Sequence, residues 1–191
     1  MKQDFSPAWL DYNLPVEVAK NKRLVKRMDI KEALSQAYTG EAKAALRLKV
    51  YAQKAEDEGY KQMAKLFRVI AFSEEIHGAR ALKGLKEIKS TEENLAASFE
   101  SETQVAEVAY DRFVKLAEAE GNKEAVLHFS QSKDVEETHA KLYKQAMNHF
   151  MEERETDYFV CKICGYVADG VLPEECPVCG AKAKMFVAFQ G

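Results

Sequence analysis

Ala55–His77 (AEDEGYKQMAKLFRVIAFSEEIH) and Ala117–His139 (AEAEGNKEAVLHFSQSKDVEETH) superpose without a gap at an offset of 62 residues. Nine of 23 positions are identical, among them Gly59/Gly121, Phe67/Phe129, Glu74/Glu136 and His77/His139. Helix composition repeats Ala and Glu by chance. It does not align a glycine, a phenylalanine and a histidine in one register. The pair therefore reads as two related helical hairpins with pseudo-twofold symmetry.

Outward from this repeat, residues 28–150 contain no proline and are rich in Ala, Glu, Lys, Leu and Gln, which favours long helices. Ser90 followed by Glu93 has capping-box spacing, and Gly59 and Gly121 suit left-handed helix ends. The expectation is four helices over about 31–58, 60–88, 91–120 and 122–150. Short connections make neighbours antiparallel, so the fold class is mainly α, a four-helix bundle. MEERETD at 151–157 reads as a charged hinge, and from Tyr158 to residue 191 aromatics, Gly, Pro and Cys mark a second, small domain. The N-terminal extension, 1–27, holds Phe5, Pro7, Trp9, Tyr12 and Pro15, and is expected to pack on the bundle or on a partner.

Composition narrows the function classes. The 191 residues carry 28 Lys+Arg against 31 Asp+Glu, a formal charge of −3, with no bias toward nucleic acid or anionic membrane. No run approaches the ~18 apolar residues of a membrane span, and the first thirty residues lack an apolar signal core. All four cysteines fall between 161 and 179, unlike the scattered pairs of a secreted disulfide scaffold. These features predict a water-soluble, cytoplasmic protein.

The chemistry resides in acids placed among apolar residues. Glu74 and His77, like Glu136 and His139, are three apart and share a helix face. Glu102 lies in the stripe Leu95, Phe99, Ala106, Ala109, Phe113, Leu116, and Glu41 in the stripe Leu34, Tyr38, Ala45, Leu48. Met63, Leu66, Phe67 and Ile70 lead up to Glu74, and Val126 and Phe129 to Glu136. Unpaired buried carboxylates cost several kcal/mol and repel one another, and no lysine or arginine stands at those heights. Two divalent or trivalent cations would neutralise them. One Glu from each of two helices plus Glu-x-x-His from each of two others is the ligand set of ferritin-like di-iron and di-manganese proteins. Mixed carboxylate and imidazole donors suit iron or manganese. Solvated surface acids are the bland alternative, and His128 and His149, with no Glu three residues before them, read as ordinary packing or surface histidines.

In the tail, Cys161-x2-Cys164 and Cys176-x2-Cys179 are separated by eleven residues, the pattern of a tetrahedral four-cysteine metal site. Gly165 and Gly180 follow directly and are expected to let backbone amides turn toward the sulfurs. A domain of about 34 residues buries too little core to fold unaided, so ligation must contribute folding energy. From spacing alone, zinc and iron both remain open.

Together the segments AYTGEAKAALRLKVYAQKAEDEGY, EEIH, NLAASFESE, VEETH, CKICGY and CPVCG resemble the rubrerythrin family over residues 28–191. The resemblance implies a ferritin-like di-iron bundle followed by a rubredoxin-like iron domain. It implies cytoplasmic reduction of hydrogen peroxide to water, a protective reaction against oxidative stress. The electrons would come from a reductase or rubredoxin partner, as in the terminal component of an NADH peroxidase, through the four-cysteine iron. Glu41, Glu74, Glu102 and Glu136 with His77 and His139 would hold two irons, and Cys161, Cys164, Cys176 and Cys179 one. Two departures stand out. Val105 occupies the place of a fifth family glutamate, toward which one iron is thought to move from the second-helix histidine, and Leu48 replaces a family tyrosine. Tyr110 is retained, either beside the metals or as a core tyrosine. Rival readings are a ferroxidase or iron-handling protein on the same bundle, and a non-enzymatic protein with a zinc ribbon. The charged hinge carries the tail past the end of the bundle, which predicts a homodimer or larger assembly arranged head to tail, one chain's tail serving another's bundle.

Overall fold

The computed structural model describes residues 29–150 and 154–189; the aromatic N-terminal extension and the first hinge residues lie outside them. The chain divides into two compact units, with the boundary between Glu87 and Ile88. The first contains α1 (Ile30–Asp57) and α2 (Lys61–Gly84). The second contains α3 (Thr91–Gln104), a π-helical segment (Val105–Tyr110), α4 (Asp111–Ala119) and α5 (Lys123–Asn148), followed by β1 (Tyr158–Cys161), β2 (Val167–Asp169) and β3 (Phe186–Phe189).

Capping chemistry sets the helix limits. Asp29 accepts from the Glu32 amide at 2.7 Å to start α1. At α3 the capping box is complete: Ser90 Oγ accepts from the Glu93 amide at 3.2 Å, and the Ser90 amide donates to Glu93 at 3.1 Å. Both hairpin turns use one device. Gly59 (φ 84°) lets the Tyr60 amide donate to the Ala55 carbonyl at 2.8 Å, and Gly121 (φ 66°) lets the Asn122 amide donate to Ala117 at 2.9 Å. These are six-to-one Schellman closures at equivalent places in the repeat. The internal duplication is thus visible in backbone hydrogen bonds.

Three expectations are corrected. α2 ends at Gly84 rather than near residue 88, because Lys86 takes a left-handed conformation (φ 58°) that a helix cannot continue through. The third long helix is not uniformly α, since a π-helical turn opens three residues after Glu102. Nor do the large apolar residues form the seam of the first hairpin. That seam is alanine: Ala45, Ala52 and Ala55 on α1 and Ala64, Ala71 and Ala81 on α2, all buried. Small residues let the helix axes approach, so the seam is narrow and side chains a step around each helix stay outside it. Met63, Leu66, Ile70, Phe113 and Leu116 are accordingly exposed.

The small sheet has order β2-β1-β3, antiparallel throughout, with Phe159 opposite Ala168 and Ala188. No helix among the described residues is long and apolar enough to cross a membrane.

Candidate metal centres

Each hairpin assembles one group of three donors. In the first, Glu41 on α1 faces Glu74 and His77 on α2; in the second, Glu102 on α3 faces Glu136 and His139 on α5. Within each group the donor atoms lie within 4.8 Å of one another. The two i,i+3 pairs have the same geometry: His77 Nδ1 is 3.1 Å from Glu74 Oε2, and His139 Nδ1 is 3.1 Å from Glu136 Oε2. Glu41 stands 3.9 Å from His77 Nδ1. Gly78, directly after His77, faces α1 at this height, where an added Cβ would make an ordinary contact with Glu41 Cβ at 3.5 Å. Its equivalent in the repeat is Ala140, also buried. The sequence carried this signal as a small residue following each of the two histidines.

The electrostatics fit a cation in each group. Glu41 is held above the ordinary carboxylate range, first by its hydrogen bond with Glu74 and then by desolvation. Burial, then the hydrogen bond and charge of Glu136, push Glu102 up to about 7. Among the described residues no lysine or arginine pairs with these four carboxylates; Glu41 and Glu74 pair with His77, and Glu136 with His139. Carboxylates forced toward protonation, with an imidazole beside them and no basic side chain, form a donor set that a hard or borderline cation would relieve.

Tyr110 closes the π-helical segment and packs on rings, with centroids 5.8 Å from Phe113 and 6.3 Å from Phe129. His128 also lies against Phe129, at 5.4 Å. Val105 leaves the second group with the same three donor types as the first.

In the tail, Cys161, Cys164, Cys176 and Cys179 converge with Sγ–Sγ separations of 3.7 Å (161–179) and 3.6 Å (164–176). These are far from a disulfide length. They approach the ~3.8 Å edge expected of a tetrahedron with metal–sulfur bonds of about 2.3 Å. Burial raises Cys164 and Cys179, whereas the amides of Cys164 and Ile163 help hold Cys161 low. The knuckle glycines, Gly165 (φ 86°) and Gly180 (φ 72°), donate to the carbonyls of Cys161 and Cys176, both at 2.9 Å. It is the next residues, Tyr166 and Ala181, whose amides face the sulfurs of Cys164 and Cys179. The glycine turns the chain and its neighbour supplies the donor.

The described end of the hinge is tied to the tail's own sheet. Arg154 pairs with Asp169 of β2, the Thr156 hydroxyl donates to Asp169 Oδ1 at 2.6 Å, and the Gly170 amide donates to the Asp157 carbonyl at 2.8 Å. Of the described hinge charges, Arg154 is tied to the tail's own sheet, while Glu155 and Asp157 are exposed.

Comparison with known proteins agrees with this chemistry. The family profile described as Rubrerythrin matches residues 32–147, and the one described as Rubrerythrin, rubredoxin-like domain matches residues 159–187. A rubrerythrin of Porphyromonas gingivalis is 32% identical, covering 81% of this chain and 87% of its own. Nigerythrin of Nitratidesulfovibrio vulgaris is 30% identical, covering 83% and 85%. A solved structure of nigerythrin in a partially reduced state has a TM-score of 0.53 at 29% identity, covering 84% of this chain and 86% of that one. Fold, donor groups and profiles therefore converge: this chain belongs to the rubrerythrin family, mainly α and ferritin-like, with a di-iron site and a rubredoxin-like four-cysteine site.

Proposed function

We propose that the chain is a hydrogen peroxide reductase within this family of oxidoreductases. The observation that carries this reading is the pairing, in one chain, of two equivalent Glu/Glu/His groups with a four-thiolate centre. In this reading residues 28–150 are the reacting domain and 158–191 the electron-receiving domain. Glu41, Glu74, Glu102 and Glu136, with His77 and His139, would hold two irons. When bound, the iron pair supplies the electrons that cleave the peroxide O–O bond. The chain's own residues set the approach. The i,i+3 contacts from Glu74 and Glu136 orient the two imidazoles. Cys161, Cys164, Cys176 and Cys179 hold the iron that receives electrons from a reductase or rubredoxin.

The test is steady peroxide consumption by anaerobically purified, metal-analysed protein, driven by NADH through an added reductase, with the optical spectrum recorded. A ferric tetrathiolate is coloured and zinc is not. Turnover with a coloured tail centre is the expected result. Accumulation of many irons per chain without peroxide turnover would replace this reading with an iron-handling one.

A further inference from the structure

Each unit by itself holds half of the donor set. Glu41, Glu74 and His77 belong to the first and Glu102, Glu136 and His139 to the second. In both units the donors continue an apolar stripe. Met63, Leu66 and Ile70 lead up to Glu74 and His77 at helical spacing, and all three are exposed. Phe113 and Leu116, beyond Glu102, are exposed as well. An apolar face with acids set in it calls for a second hairpin over it, which excludes water and completes the ligands.

The connection between the hairpins decides which copy supplies that cover. A ferritin-like bundle has one long crossover connection. Its second and third helices run in the same direction, so the chain must return along the bundle before the third begins. Here α2 ends at Gly84 and α3 begins at Thr91, with six residues between them. Gly84 is ten residues past Glu74, and Thr91 is eleven before Glu102. With both donor groups on one metal pair, these two ends fall on opposite sides of it. At about 1.5 Å per residue they are about 31 Å apart along the axis, before a sideways step of roughly 8–10 Å between helices. Seven fully extended Cα–Cα steps reach at most about 25 Å. The connection is not extended, either. The Leu85 amide donates to Ala81 at 3.0 Å and the Lys86 amide to Lys83 at 3.1 Å, which winds two of the six residues onto the end of α2. On the other side the Lys89 amide donates to Asn94 Oδ1 at 3.0 Å. One chain therefore lacks the reach to place both of its hairpins in the same ferritin-like bundle.

We infer that two copies of this chain exchange hairpins. The α1–α2 hairpin of one protomer pairs with the α3–α5 hairpin of its partner, and each two-metal site takes Glu41, Glu74 and His77 from one protomer and the partner's Glu102, Glu136 and His139. Two such bundles lying side by side and antiparallel bring the end of α2 in one next to the start of α3 in the other, a gap that six residues cover. This rests on the ligand assignment in the function proposed above.

Complementation tests the exchange, with metal content as the readout. Glu74→Ala damages only the first hairpin and Glu136→Ala only the second, and each variant alone is expected to hold no bundle metal. Differently tagged chains are co-expressed and mixed dimers isolated. With exchanged hairpins, one bundle of the mixed dimer receives both substitutions and the other neither, so half of the native bundle metal returns. Were each bundle built from a single chain, every bundle would carry one substitution and none would return. Absence of recovery overturns the inference, as does a native protein that is monomeric by light scattering. Retention of one metal per chain by each single variant overturns it too, because the halves would then be independent sites. A second measurement needs no metal. Inserting about twelve Gly/Ser residues between Lys86 and Lys89 adds up to roughly 40 Å of reach, enough for the hairpins to pair within one chain. The metal-free lengthened chain should become monomeric, and the lengthened variants should no longer complement each other. A lengthened chain that still forms the native dimer and complements as before would overturn the argument from reach. Recovery of metal in mixed dimers, with no peroxide turnover by the native protein, would instead refute the function proposed above and leave the exchange standing.

Discussion

The two donor groups are chemically alike and physically different. Glu41/Glu74/His77 and Glu102/Glu136/His139 repeat the same residue types at a constant offset within α2 and α5, and the histidine–carboxylate distances agree. Yet the His77 side chain is 51% exposed and His139 26%. The carboxyl of Glu41 is raised chiefly by its hydrogen bond with Glu74, that of Glu102 chiefly by burial. A π-helical turn follows Glu102, and the tail lies against the residue preceding Glu136. The repeat carries the same donors in both halves, and packing gives the halves different surroundings. The more buried half is the one that shares its unit with the four-cysteine domain.

The largest effect should come from removing one shared ligand. Glu74→Ala and Glu136→Ala are each expected to eliminate both bundle metals and leave the four-cysteine centre intact, as read by metal analysis. Retention of two bundle metals with full peroxide activity would show the ligand assignment to be wrong; loss of one metal in each variant would make the halves independent sites.

Next comes the dependence of the second half on its tail. Cys176→Ser should bleach the tail's colour and stop electron delivery, while helical circular dichroism stays near native. The helices hold their own caps and seams, so a large loss of ellipticity would show the tail to be part of the second half's core.

Val105→Glu sharpens the asymmetry by adding the family's fifth carboxylate one turn from Glu102. The native chain should keep His77 bound in both oxidation states, and the variant should gain a redox-dependent exchange between the new carboxylate and His77. Crystals of oxidised and reduced native protein check the first half of this. An iron displaced from His77 on oxidation or reduction would contradict it.

A smaller effect concerns pH in the metal-free chain. Glu102 has a raised folded-state pKa of about 7, so between roughly 4.5 and 7 the folded protein holds more protons than the unfolded one. Its contribution to stability therefore falls as pH rises through that window and is flat above it. The denaturation midpoint of the metal-free protein should carry this downward slope, and Glu102→Gln should flatten it. Metal binding should reverse the slope, because the carboxylate must ionise to bind. The same slope in Glu102→Gln would assign it to another group.

The smallest expected effects are at the helix starts. Ser90→Ala and Asp29→Ala should each cost about 1 kcal/mol in chemical denaturation, the usual loss for a removed N-cap oxygen. If Ser90→Ala costs no more than Asp29→Ala, the reciprocal Glu93 arm of the capping box contributes little.

Much of this protein is local, and the local part was legible in the amino-acid order. Caps at Ser90, Gly59 and Gly121 depend on contacts within a few residues, as do the i,i+3 pairs Glu74/His77 and Glu136/His139 and the two cysteine knuckles. Spacing therefore reports them directly. Glu41 and Glu102 were found because an acid inside an apolar stripe is costly unless something neutralises it. The π-helical segment was not legible, since Val105–Tyr110 has no residue that forbids an α-helix; where backbone hydrogen bonds shift from one ladder to another is set by packing around the helix. The alanine seam was missed for a related reason. Periodicity shows which residues share a face, but how closely two axes approach is decided by both partners, and the pairing of Ala45 and Ala52 with Ala64 and Ala71 exists only between helices. The course of the tail was tertiary as well. Arg154 and Asp169 are fifteen positions apart, and Gly165 and Val135 thirty, across a hinge whose charges looked destined for water. Sequence by itself determined which atoms can bind metal. Only the folded chain decided that the knuckle at Gly165 lies near Val135 of α5, because that depends on long-range contacts whose partners carry no mark of one another.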